Sequence, residues 1–64
     1  MPNLIKLTTI EEGIFMPTLV NVDNIDFIYP DPTSNNTTIY FGDSVIVVVE
    51  PLNRIEKMIH RLKQ

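Results

Sequence analysis

The chain has 64 residues, enough for one domain and no more. It has no cysteine and one histidine, His60, which excludes a disulfide framework and a thiolate metal site and leaves one imidazole that cannot build a zinc site unaided. The net charge of −3 is unevenly placed: residues 1–50 hold seven acidic side chains against Lys6, while residues 51–64 hold Arg54, Lys57, Arg61 and Lys63 against Glu56.

The first predicted element is a strand over Ile5 to Ile10, rich in β-branched residues. Glu11-Glu12-Gly13 reads as a turn, with Gly13 free to take positive φ. A second strand crosses Ile14 to Val20. Pro17 interrupts it and cannot donate a ladder hydrogen bond, so the strand is an edge or is bulged there. Asn21 to Asn24 breaks the pattern with turn-capping side chains, and Asp23 is the expected cap. Ile25 to Tyr29 resumes as a strand with Ile25, Phe27 and Tyr29 on one face. Pro30 ends it, and Asp31 to Asn36 is a polar loop.

Thr37 to Phe41 is the next strand, followed by a tight corner at Gly42-Asp43. A glycine first in a two-residue loop suits a type II′ turn. The return strand, Ser44 to Val49, is apolar on both faces, so it is covered on both sides or meets a partner. The last segment changes period. Leu52, Ile55, Met58, Ile59 and Leu62 form one stripe on a helix. Pro51 fits the first helical turn, where its missing N–H costs nothing.

These elements predict an α+β fold: a small antiparallel β-sheet or partly open barrel of four to five strands followed by one C-terminal helix. Residues 1–64 form a single domain, with strands within 4–49 and the helix over about 51–63. The helix covers one face of so small a sheet. Tyr29, Tyr40, Ile46 and Val48 are the candidates for a second apolar face that meets another protein. The three Phe side chains are read as core.

No glycine-rich phosphate loop, paired cysteine or nucleophile motif is present, so no catalytic, metal-binding or cofactor-binding residue is assigned. The start of the chain lacks a basic region followed by a long apolar run, and Val45 to Val49 is far shorter than the ~20 residues that span a bilayer. A soluble, cytoplasmic protein without a membrane partner is expected. A fold of this size buries only about 60% of its unfolded surface, and a partner chain is the support left open.

The function predicted is that of a non-enzymatic structural or adaptor protein acting through protein–protein contact, by self-association into a homo-oligomer or with another protein. One alternative is a nucleic-acid-associated regulator contacting phosphates through Arg54, Lys57 and Arg61. That reading is disfavoured by the acidic body, which repels phosphate backbones. The other alternative is a small acidic inhibitor of a basic protein surface.

Ile5-Lys6-Leu7-Thr8, Gly13, Val20-Asn21 and Ile25, Thr37-Thr38-Ile39 leading to Gly42, and Val48-Val49-Glu50 before a helix with Ile55 and Ile59 follow one another along the chain. This succession resembles the FlbD-like family of small bacterial proteins, across nearly the whole chain. Pro51 stands where that family usually has serine. The resemblance implies a bacterial, non-enzymatic protein. Val22 to Ile28 is also similar to a segment of the β-rich LytTR-type DNA-binding domain.

Overall fold

The computed structural model describes residues 3–62. Lys63, counted above in the basic tail and as the end of the helix, lies outside the described residues. Among the described residues five strands and one helix follow one another: β1 (Leu4–Glu11), β2 (Ile14–Asn21), β3 (Phe27–Pro30), β4 (Thr37–Phe41), β5 (Ser44–Val48) and α1 (Leu52–Leu62). A single 3₁₀ turn, Val22–Asn24, joins β2 to β3. The strands form one antiparallel sheet in the order β2-β1-β5-β4-β3. β2 and β3 are free edges, so the sheet does not close into a barrel.

Two tight turns set the register. Glu12 and Gly13 both have positive φ, 51° and 78°, the combination that a type I′ hairpin requires. They place Glu11 opposite Ile14, and the pairing runs unbroken to Leu4 opposite Asn21. Pro17 therefore causes no bulge. Gly42 takes a φ of 53°, and Phe41 pairs with Ser44 across that corner.

The C-terminal hairpin meets the N-terminal one at a thin seam. Thr9 pairs with Val48, and the Val49 N–H donates to the Thr8 carbonyl at 2.9 Å. Beyond that point the backbone of β5 has turned away. The Glu50 carboxylate takes its place, accepting the Thr8 N–H at 2.9 and 3.0 Å. Thr37, fully buried, donates its hydroxyl to the Glu50 carbonyl at 2.7 Å. Glu50 thus ties β1, β4 and the start of α1 together.

Pro51 sits one residue before the helix rather than within it. Its carbonyl accepts the N–H groups of Arg54 and Ile55 at 3.0 and 3.2 Å. Of the predicted helix stripe, Ile55 is fully buried and Met58 and Ile59 pack against the core, whereas Leu62, at the end of the helix, is exposed. Ile5, Leu7, Val20, Ile39 and Val48 complete the core.

Two expectations are corrected. The strand predicted over 25–29 begins at Phe27, because Ile25 closes the 3₁₀ turn with its N–H on the Val22 carbonyl. The cap of that turn is Asn21, whose side chain accepts the Asp23 N–H at 3.0 Å; Asp23 instead accepts from the Asn3 amide at 3.3 Å.

Candidate functional site

Residues directly opposite in an antiparallel pair point to the same face. The register therefore sorts every strand residue onto one of two faces. The inner face, under α1, carries Ile5, Leu7 and Val20 from the first hairpin and Thr37, Ile39 and Val48 from the second. The outer face has no helix over it.

The outer face is nevertheless apolar. β2 contributes Phe15 and Leu19, 62% and 64% exposed. β5 contributes Val45 and Val47. β3 and β4 contribute an aromatic cluster, in which Phe27 stacks on Tyr29 at 6.0 Å and Tyr29 meets Tyr40 edge-on at 5.7 Å. Leu4, Ile10 and Pro17 fill the gaps between them. Among the described residues Lys6 is the one charged side chain on this face, and no carboxylate of theirs stands on it.

The sequence pattern predicts Tyr29, Tyr40, Ile46 and Val48 as one surface. The structure keeps Tyr29 and Tyr40 together on the outer face and separates the other two. Val48 is fully buried in the core, and Ile46 is packed against it. The reason is the two-residue corner at 42–43, which puts Tyr40 opposite Val45. Val45 and Val47 are thus the β5 residues beside the tyrosines. The reading of all three Phe side chains as core is also corrected. Phe41 packs against the core, whereas Phe15 and Phe27 lie exposed on the outer face.

Both sheet edges carry a proline. Thr8 lies opposite Pro17, and both backbone groups of Thr8 are used on the β5 side. Such a position is non-hydrogen-bonded within the β1–β2 pair. The Pro17 nitrogen accordingly faces out from the edge, where an N–H would otherwise be offered to another strand. At the opposite edge the Asp31 N–H donates to the Asn36 carbonyl at 3.0 Å. Hydrogen-bonded positions alternate, so the Pro30 nitrogen also faces outward. Each edge has lost an outward donor, a common device against edge-to-edge pairing.

Charge is arranged along the strands. The β1–β2 and β4–β5 turns lie at the same end of the sheet, and they bring Glu11, Glu12 and Asp43 together there. Asp26 joins them, its carboxylate accepting the Gly42 N–H at 2.6 Å. Lys6 lies toward the other end of the outer face. On the far side of the molecule Arg54, Lys57 and Arg61 are exposed and line one shallow groove along α1, as their spacing of three and four residues predicts. No helix among the described residues is long and apolar enough to cross a membrane.

In the 31–36 loop the Asp31 carboxylate accepts the Thr33 N–H at 2.9 Å and the hydroxyls of Thr33 and Ser34 at 2.9 and 3.1 Å. These bonds, the Thr33 amide first, hold its pKa below the ordinary carboxylate value.

Comparison with protein-family models, with curated proteins and with solved structures finds no match in any of the three.

Proposed function

We propose that this chain is a non-enzymatic adaptor or assembly module that binds protein through the outer, helix-free face of its sheet. The observation that carries the reading is the concentration of exposed apolar side chains there. Among the described residues, eight of the eleven large hydrophobic side chains that stand exposed belong to this one face. Scattered apolar residues need no explanation, but a contiguous patch of this kind marks an interaction surface. Tyrosine and phenylalanine are also the residues that interfaces favour. Burial of such surface contributes about 25 cal/mol per Å².

The test is site-specific photo-crosslinking in the producing cell. A photoreactive phenylalanine in place of Tyr40 should give discrete protein adducts, and one in place of His60, on the exposed side of α1, should give none. Adducts at position 60 alone would contradict the reading. A second reading rests on the groove shared by Arg54, Lys57 and Arg61. It treats the helix as a weak polyanion contact, and it requires nucleic-acid binding that falls steeply between low and physiological salt.

A further inference from the structure

The inference rests on the outer face being a docking surface, and it names the occupant. We propose that this face binds the same face of a second copy of the chain. Each strand lies antiparallel over its own counterpart, and the product is a closed β-sandwich dimer.

Size is the first argument. Five strands of eight, eight, four, five and five residues, at about 4.8 Å spacing and ~3.3 Å per residue, give a face on the order of 480 Å². A standard interface takes about 800 Å² per partner, and stable ones begin near ~1,200 Å² in total. Two such faces give roughly 950 Å², short of that bound, so the dimer is a weak one that dissociates at a concentration dilution can reach.

Composition is the second. A chain with eight acidic side chains places none of them on this face. A copy of the face therefore meets it without burying any carboxylate, and Lys6 sits near one end.

The edges are the third. Pro17 and Pro30 remove outward donors from the two free strands, which disfavours growth by strand addition. Face-to-face pairing consumes the whole apolar patch in one isologous contact, so assembly stops at two copies.

Charge fixes the orientation. A two-fold axis along the strands would stack the Glu11, Glu12, Asp26 and Asp43 end of one copy on the same end of the other. Like charges so juxtaposed are costly. An axis across the strands sends the acidic ends apart and carries each Lys6 toward the acidic turns opposite. Under that axis β5 lies over β5 and valine packs on valine, while β2 lies over β2 and brings the two Phe15 side chains together.

Sedimentation equilibrium of the full chain from low micromolar to millimolar concentration is the first test. The expected mass rises from 7.4 kDa to twice that value and no further. Val47→Asp should shift the midpoint by at least tenfold while circular dichroism, and melting at a dilution where both proteins are monomeric, stay those of the wild type. Phe15→Ser, at an edge, is the companion variant should Val47→Asp misfold. A dimer that survives both would use another surface, and the proposal would fall.

Orientation is read with a short bismaleimide, since the chain has no cysteine of its own. Phe15→Cys should crosslink to itself. Crosslinking only in a mixture of Phe15→Cys and Tyr29→Cys would overturn the antiparallel arrangement. A wild type that stays monomeric at millimolar concentration overturns self-pairing. In that case an apolar dye separates the remaining readings. Dye fluorescence lost in Val47→Asp leaves the face a docking surface for a different protein, and no dye response removes the docking reading as well.

Discussion

Val47 and Val48 are neighbours in sequence and identical in chemistry, yet they belong to different parts of the molecule. Val48 is fully buried beneath α1 with Leu7, Ile39 and Ile55. Val47 points to the other side of the same strand and is 36% exposed. The same contrast holds across the sheet. The inner face is apolar because the chain supplies a helix to cover it, and the outer face is apolar with nothing from the described residues laid over it. Hydrophobic character alone does not make a core. A core needs a second layer, and eleven helical residues provide that layer on one side only.

The largest effect that can break this comparison is Val48→Asp. It places an unpaired carboxylate in the core at a cost of several kcal/mol, about 4 or more. A domain this small has on the order of 5 kcal/mol to lose. The protein should be unfolded by circular dichroism at room temperature.

Next is Glu50→Ala. It leaves the Thr8 N–H without its carboxylate at the seam between the hairpins. Hydrogen bonds to charged groups contribute about 1.5–3 kcal/mol, so denaturant melts should show a loss in that range. Thr37→Val removes the buried hydroxyl from the Glu50 carbonyl and should cost about 1 kcal/mol. Val47→Asp is smaller still for the single chain. A substitution at an exposed position stays within about 0.5 kcal/mol, and its effect should appear in association instead.

The smallest effect belongs to the 31–36 loop, which joins β3 to β4. The pKa of Asp31 is lowered by the Thr33 amide and by the Thr33 and Ser34 hydroxyls. The order it gives the loop is therefore present above the ordinary carboxylate pKa of 3.8. It is lost as the pH falls from there through the lowered value. The Thr33 amide resonance should move in that acid window in the wild type and stay still in Asp31→Ala.

Much of the fold was legible because its signals are local. The stripe from Leu52 to Leu62 fixed the helix, and Gly13 and Gly42 marked the two corners. Pro17 marked an edge strand. The candidate site was legible only in part. A strand such as Ser44 to Val48 is apolar on both sides, so its own pattern cannot say which side is covered. The deciding constraint is the register across the 42–43 corner, which the sequence marks as a two-residue loop but which the grouping of Tyr40 with Ile46 and Val48 does not follow. A two-residue loop at 42–43 forces Tyr40 opposite Val45, which puts Val45 and Val47 beside the tyrosines and sends Ile46 and Val48 inward. Phe15 and Phe27 were misplaced because aromatic character suggests burial without naming a face. The role of Glu50 had no local signal, since a side chain standing in for a strand's carbonyl depends on contacts 42 residues apart.

The most direct measurement is native mass by light scattering coupled to size exclusion, on wild type and Val47→Asp at matched high concentration, with a thermal melt of each. The wild type should run above 7.4 kDa and Val47→Asp at that monomer mass, with intact cooperative melting in both. Equal masses in the two proteins would contradict self-pairing through the outer face, and a variant that unfolds as expected of Val48→Asp would contradict the claim that this face is separate from the core.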